Sequence, residues 1–333
     1  MRQKEEYFLF VRCFTFNHAK YIEDTMNGFT MQHTNFPFVC AIVDDASTDG
    51  EPEVIKNYLN EYFDLEDKDI VQHEETEDYV LTLARHKANL NCYFAVFYLK
   101  YNHYSIKKSK LPYLKKWSEH VKYHAFCEGD DYWIMPNKLQ RQVSFLEENP
   151  DFSICFTGAN MIVEGLSSRY SFNLFNSLEN REYKGGEVLR KWIIPTASIV
   201  YKNVGEDMPK DNRFIATDIV IELFLLQYGR CYCINDKTMV YRRNSGGASI
   251  RNLALSCEKQ INHFDALCEY FGYHKEINEI KAEIYLKYAF SQISISHFFK
   301  FITMGLSSEG VKWNMIKYFP RAFARFIKGR IMN

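Results

Sequence analysis

Long apolar runs, an excess of charge of either sign and the common phosphate-loop signatures are all missing from this chain of 333 residues. The longest uninterrupted apolar run, Cys92 to Leu99, is far short of the roughly 20 residues that cross a bilayer, so no membrane-spanning helix is expected. The N-terminal MRQKEEYFLFVRCF has an apolar stretch too short, and broken by Arg12, for a secretory signal or anchor. Forty-one basic residues stand against 42 acidic ones, a net charge of −1, which gives no global reason to expect a nucleic-acid partner. Nine cysteines are scattered through mostly apolar stretches and read as reduced core thiols of a cytoplasmic protein. Cys231 and Cys233 form the one close pair. Their spacing puts both on one face of a strand, and it is narrower than the spacing of zinc ligands. No Gly-x-Gly-x-x-Gly follows the first strand and no Gly-x-x-x-x-Gly-Lys-Ser/Thr occurs, which disfavours hydride transfer and P-loop chemistry. Internal repeats and low-complexity tracts are also absent.

What is present is a core: 47% of the residues are hydrophobic and 16% aromatic, enough to fill two unequal units. The first half alternates strand-length apolar runs with amphipathic helices. Tyr7 to Val11 and Phe38 to Val43 read as parallel strands buried on both faces. Between them Ala19 to Gln32 has helical spacing, with Asn17 or His18 placed to cap it, and a further helix begins near Pro52. Later strands are expected at Ile70 to Gln72, Cys92 to Leu99, Tyr123 to Cys127, Phe152 to Phe156 and Thr196 to Tyr201. Glu74 to Asp78 reads as an acidic loop, and helices are expected at Leu114 to Val121 and from Pro136 to about Asn149. Asp218 to Gln227 reads as an apolar helix stopped by Gly229 in a left-handed position. From Leu253 onward only helices are expected, the last over Glu309 to Lys328 and kinked at Pro320. The order of elements predicts an α/β unit over 1–250 and an all-helical extension over 251–333.

In an open α/β sheet, ligands bind beyond the carboxyl ends of the strands. Three polar clusters stand there: Thr15-Phe16-Asn17, Asp44-Asp45 and Glu128-Gly129-Asp130-Asp131. Crowded carboxylates raise one another's pKa unless a cation lies between them. Hard oxygen ligands of this kind suit Mg²⁺ or Mn²⁺, which commonly complete their shells with substrate phosphates. The clusters therefore point to a metal and a diphosphate together.

Read in order, Phe14-Thr15-Phe16-Asn17-His18-Ala19-Lys20-Tyr21-Ile22, Ile42-Val43-Asp44-Asp45-Ala46-Ser47-Thr48-Asp49-Gly50 and Cys127-Glu128-Gly129-Asp130-Asp131-Tyr132-Trp133 resemble the inverting nucleotide-sugar glycosyltransferases of family 2. The resemblance resumes at Ile194-Pro195-Thr196-Ala197-Ser198, Thr217-Asp218 and Tyr241-Arg242-Arg243-Asn244-Ser245. It implies a GT-A fold, a Rossmann-like mixed central sheet flanked by helices. It also implies a donor site in which Thr15, Asn17 and Asp45 meet the nucleotide, with Asp45 accepting a uracil imide N–H. Asp130 then contacts the ribose or sugar, and Asp131 coordinates the divalent cation. Asp218 matches the general base that takes the proton of an acceptor hydroxyl; by local sequence alone it is also a favourable helix N-cap.

Two positions depart from the family pattern. Asn244 stands where many members have a His that joins the metal shell, and it offers only a neutral amide oxygen. In place of the family's Asn/Gly-rich segment with its Arg stands Asn102 to Lys110, where Lys107 and Lys108 either bind the diphosphate or form a solvated face. Trp133 is a candidate for stacking on a sugar, with core packing as the alternative. The turn Ser245-Gly246-Gly247 is a candidate lid.

Beyond Phe299, seven basic residues stand against Glu309 alone. They predict either a peripheral contact with the inner face of the cytoplasmic membrane or a packed helix with a cationic face. The expected partners are a nucleotide-sugar donor, a UDP-sugar by preference, and a glycan or lipid-linked acceptor, with a homo-oligomer left open. Competing classes are a sugar-nucleotidyltransferase, whose Gly-rich basic loop after the first strand is missing, and a non-catalytic nucleotide- or glycan-binding relative.

Overall fold

The computed structural model describes residues 7–165, 175–244, 256–291 and 295–306. The chain divides into two compact units. The first takes Met1–Tyr183, Ile193–Glu206 and Tyr228–Ser245, and the second Lys184–Trp192, Asp207–Gln227 and Gly246–Asn333. This differs from a single cut near residue 250, because two segments on the N-terminal side of that point, one of them carrying Asp218, pack with the C-terminal helices.

The first unit begins with strand β1 (Leu9–Thr15), helix α1 (Ile22–Thr30), strand β2 (Phe38–Asp44) and helix α2 (Glu51–Tyr62). Every residue of β2 is buried, as an interior parallel strand covered on both faces requires. Helix α1 buries Ile22, Met26 and Phe29 along one stripe. Gly50, at φ 95°, caps α2 and Pro52 lies in its first turn. Next come β3 (Phe63–Asp64), β4 (Gln72–Glu75), β5 (Tyr79–His86), β6 (Cys92–Leu99), helix α3 (Leu111–Ser118), β7 (Tyr123–Phe126), β8 (Tyr132–Trp133) and helix α4 (Lys138–Glu148). The unit closes with β9 (Phe152–Glu164), β10 (Arg181–Tyr183), a 3₁₀ turn at Thr196–Ser198, β11 (Val200–Lys202) and β12 (Arg230–Asn244).

The strands form one sheet in the order β10-β12-β9-β11-β7-β1-β2-β6-β5-β3, with β4 on β5 and β8 on β12. Strands β7, β1, β2 and β6 are mutually parallel, with Thr15 beside Asp44 and Arg12 beside Phe126. Strand β11 is antiparallel to β7 and β9, and β12 runs parallel to β9. One face of the sheet buries Phe10, Val39, Val43, Phe97 and Leu99 with Leu114 and Trp117 of α3. On the side of α1 and α2, the buried ring of Phe94 meets Phe63 at 4.4 Å and Phe29 at 6.1 Å between centroids. Truncating such a ring to alanine costs about 3–5 kcal/mol.

Several sequence expectations are corrected. Glu74 and Glu75 lie in β4 rather than in a loop, and β4 starts at Gln72. Together with β5 this strand makes a hairpin that the continuous-run criterion passed over, because β5 mixes buried and half-buried positions. Thr196 to Ser198 is a 3₁₀ turn before the strand. The cap of α1 is Tyr21, with no side-chain bond, while Asn17 takes a left-handed φ of 56°. Gly229 is not left-handed; a Cβ there would lie 2.7 Å from Ser153 N and 2.9 Å from Asp151 O, so close backbone approach is what the glycine permits.

The second unit comprises α5 (Gly185–Arg190), α6 (Thr217–Leu225), α7 (Cys257–Phe271), α8 (His274–Ser291) and α9 (Ile295–Leu306). Leu189, Val220, Leu223, Leu267 and Ile277 form its core. Arg190 pairs with Glu279, and Arg213 holds Asp211 and Glu269 at 2.6 Å each. Ser256 caps α7, and Gly272, at φ 80°, ends it. No helix among the described residues is long and apolar enough to cross a membrane. The helix expected over Glu309 to Lys328, the cationic tail and the Ser245-Gly246-Gly247 turn lie outside the described residues.

Candidate functional site

Strand β1 lies between β2 and β7, so the order of connection reverses across it and all three carboxyl ends open on the same edge. The loop after β7 is pressed onto the end of β1. Glu128 accepts a hydrogen bond from Phe14 N at 3.0 Å and lies 3.5 Å from Arg12 Nη2, while Gly129 N donates to Phe14 O at 3.0 Å. A Cβ on Gly129 would stand 2.1 Å from Thr15 Oγ1, so only glycine fits. From the other side the hydroxyl of Thr25 on α1 lies 3.0 Å from Gly129 O and 2.7 Å from Asp131 O.

A second strut is Glu51, fully buried at the start of α2. Its carboxylate accepts from Thr15 Oγ1, from His18 N at 2.8 Å and from Ser47 Oγ at 2.8 Å, tying together the loops after β1 and β2. Asn17 adds two more ties, from its N to Ser47 Oγ and from Thr48 N to its Oδ1, both at 2.8 Å. The hydroxyl of Thr15 is therefore taken up internally, whereas Asn17 stays exposed at the rim.

Asp45 is only 1% exposed. Its Oδ1 accepts from His103 N at 2.7 Å, and its Oδ2 from Tyr104 N at 3.1 Å and Lys110 Nζ at 2.6 Å. Lys110, not Lys107 or Lys108, is thus the lysine that the 102–110 segment brings to the strand ends. Lys108 is spent on Asp78, 2.7 Å away, which together with Tyr101 and Tyr113 holds the Asp78 carboxyl well below the usual carboxylate range. Lys107 is exposed, with φ at 56°. Sequence reasoning missed Lys110 because a run of lysines carries no sign of which one turns inward. Next to Asp45, burial and then the charge of Glu51 push the Asp44 carboxyl up to about 6, against hydrogen bonds from Ser47 that act to lower it.

Asp131, 5% exposed, is engaged differently. Its Oδ1 accepts from Arg242 N at 2.9 Å, and its Oδ2 meets no donor among the described residues. Burial and then the neighbouring charge of Asp130 push its carboxyl well above the ordinary range. Asp130 is half-buried, with its Oδ2 3.9 Å from His18 Nε2. A buried carboxylate with one open oxygen among like charges fits a hard cation. Among the described residues no group of three or more His, Cys, Asp and Glu is arranged to hold a metal ion. A cation here would therefore take most of its ligands from substrate and water.

Trp133 does not present its face to a ligand. It is fully buried, its Nε1 donates to Ala197 O at 2.7 Å, its ring packs edge-on against Phe29, and Lys138 Nζ lies 4.4 Å from its centroid. Its place in β8, paired with Met239 of β12, turns it into the core. Lys138 is itself buried, its Nζ without a hydrogen-bond partner among the described residues, and burial lowers its pKa to about 7. Asn244 closes β12 opposite Glu164; its side chain lies outside what the structure describes.

In the second unit, Asp218 stands in the first turn of α6, half-buried, and the cap itself is Ala216. One turn on, burial and then the charge of Asp218 push the Glu222 carboxyl well up.

No protein-family model matches the chain. Curated relatives include uncharacterised proteins of Mycobacterium tuberculosis and Mycobacterium bovis, 27% identical over 240 residues, a stretch covering 70% of this chain and 58% of theirs. The chain thus spans less than two thirds of the length of these relatives. Among solved structures, S. aureus TarS 1-349 in complex with UDP, and the same protein in complex with UDP-GlcNAc, each align at a TM-score of 0.50 with 17% identity, over 96% of this chain and 80% of that one. The mannosyltransferase PcManGT from Pyrobaculum calidifontis, in complex with GDP-Man and Mn²⁺, aligns at 0.55 with 13% identity, over 98% and 80%. At these identities the likeness is one of fold, and this chain has the GT-A fold: a mixed central sheet flanked by helices, with further helices in the C-terminal part of the chain.

Proposed function

We propose that the protein is a family 2-like inverting glycosyltransferase. It would move a sugar from a nucleotide-diphospho-sugar to a hydroxyl of a glycan or lipid-linked acceptor, in the assembly of a surface polysaccharide or related glycan. The observation that carries this reading is the half-engaged, buried Asp131 carboxylate at the edge where β1, β2 and β7 end. The complexes of the structural neighbours with UDP, UDP-GlcNAc and GDP-Man support the same donor class.

In this reading Asp131 holds a Mn²⁺ or Mg²⁺ through Oδ2, and Asp130 contacts the ribose or sugar. When bound, the cation supplies Lewis-acid stabilisation of the charge that builds on the departing nucleoside diphosphate. Asp45, whose oxygens already accept from His103 N, Tyr104 N and Lys110, is assigned to holding the segment that meets the nucleotide rather than to accepting a base N–H, and Lys110 beside it to donating to a carbonyl of the base. Uracil and guanine carry such a carbonyl; adenine does not. Asp218, in the first turn of α6, is assigned as the base that accepts the acceptor's proton. Displacement in one step inverts the anomeric carbon and calls for no enzymic nucleophile. The cationic stretch beyond Phe299 is assigned to a peripheral contact with an anionic membrane on the cytoplasmic side, where a lipid-linked acceptor is found.

Thermal stabilisation by a panel of nucleotide sugars, with and without Mn²⁺, tests the reading. The expected result is a rise in melting temperature for UDP-sugars that is larger with Mn²⁺ and lost in Asp131→Asn. No response to any nucleotide sugar rejects it.

A further inference from the structure

We infer that Arg242 is a positioning residue that sets which oxygen of Asp131 is left open for the cation. The inference rests on the donor site proposed above.

Arg242 lies near the end of β12, opposite Ile162 of β9, and is 8% exposed. It reaches the acidic loop twice. Its backbone N donates to Asp131 Oδ1 at 2.9 Å, and its Nη1 donates to the carbonyl of Asp130 at 3.1 Å. Its Nη2 pairs with Asp24 in the first turn of α1. The guanidinium lies over the rings of Tyr21 and Tyr132, its Cζ 4.9 and 4.4 Å from their centroids.

Four segments therefore close on one cation: the loop at 130–131, β8, the start of α1, and β12. The start of α1 is fixed a second time, since Tyr21 Oη and Lys20 Nζ both donate to Glu164 Oε2, at 2.7 and 2.8 Å, at the end of β9.

Each contact does a separate job. The backbone N–H on Oδ1 stops the Asp131 carboxylate from rotating, so that Oδ2 alone remains to bind. The Nη1 bond fixes the peptide one residue earlier. With Asp24 on Nη2 and a carbonyl on Nη1, the guanidinium already carries a counter-ion and is not a free clamp for phosphate. A lysine at the position keeps the charge but not the planar fork, and it cannot hold the carbonyl and Asp24 together while also lying over both rings. Residues that orient a metal ligand in this way commonly change metal affinity by about 10–100-fold when altered.

The test compares wild type, Arg242→Lys and Asp24→Asn. Asp24 is half exposed, so its variant loosens the guanidinium without disturbing a buried side chain. Free Mn²⁺ is followed by its EPR signal during titration in the presence of UDP, and melting temperature and metal-free UDP binding are measured alongside. The expected result for Arg242→Lys is a loss of roughly tenfold or more in Mn²⁺ affinity, with a lowered melting temperature and metal-free UDP binding nearly unchanged. A smaller loss in the same direction is expected for Asp24→Asn. Wild-type binding of Mn²⁺ with UDP, together with unchanged affinity in both variants, overturns the positioning role alone. A wild type that binds neither Mn²⁺ nor UDP overturns the donor site and this inference together.

Discussion

Asp45 and Asp131 follow strands that end on the same edge of the sheet, and both are almost wholly buried, yet they are used in opposite ways. Asp45 spends both oxygens on three donors, two of them backbone N–H groups of the segment at 103–104 and one the ammonium of Lys110. Asp131 spends one oxygen on one backbone N–H. A carboxylate saturated by its own chain fixes a loop; one left half-engaged among like charges is poised to take a ligand. Lys138 extends the comparison to its limit, as a buried charge whose Nζ has no hydrogen-bond partner among the described residues and has the face of Trp133 beside it.

The contrast breaks most visibly at Asp131. Asp131→Asn is expected to lower kcat/KM about 10²–10³-fold with Mn²⁺ present, while stability to urea stays level or rises, since the amide oxygen still accepts from Arg242 N. A stability loss with retained turnover would mean that the two carboxylates have been assigned the wrong way round. Asp45→Asn is expected to do the reverse, costing about 3 kcal/mol of unfolding free energy, because Lys110 and a backbone N–H lose a charged acceptor in a buried setting. Equilibrium urea unfolding measures it.

Lys138→Met is expected to stabilise the protein by about 1–4 kcal/mol at pH 6, as replacing an uncompensated buried charge by an apolar chain of similar size commonly does. The pH dependence gives the sign. The folded pKa, about 7, is below the unfolded value of about 10.4, so below pH 7 both states carry the proton and the penalty is complete. Between the two values the unfolded chain binds more protons, and wild-type stability rises with pH. The advantage of the variant should therefore shrink from pH 7 to pH 10, and a gap independent of pH would place a counter-charge or solvent at Nζ. The smallest effect is expected from Lys110→Met, about tenfold in the Kd of UDP by calorimetry with little change for the Mn²⁺ response. Equal weakening for every nucleotide would deny Lys110 a part in reading the base.

Much of this arrangement was legible in the sequence. The buried runs at Phe38 and Cys92, the turn before Pro52 and the acidic stretch after Tyr123 each signal their element locally, because an interior parallel strand must be apolar on both faces. What was not legible is direction. Trp133 follows the acidic loop but turns inward, since β8 pairs with β12, more than 100 residues away in sequence. Glu51 looks like an ordinary first-turn acid and is instead the buried acceptor for two loops. Lys110 could not be told from Lys107 or Lys108 without the fold of the segment around Asp45. Asp218 was legible as the start of a helix, but its membership of the helical unit depends on packing that no local pattern encodes.

The cysteines carry one practical consequence. All nine are free thiols; eight are buried and Cys268 alone is partly accessible. Burial raises the pKa of Cys13, Cys40 and Cys127 far above that of an ordinary thiol, so these sites are silent towards alkylating reagents while the sheet is intact. A chromogenic disulfide reagent should therefore count one slow thiol in the native protein and nine in denaturant, with the difference reporting the integrity of the core without any engineered label.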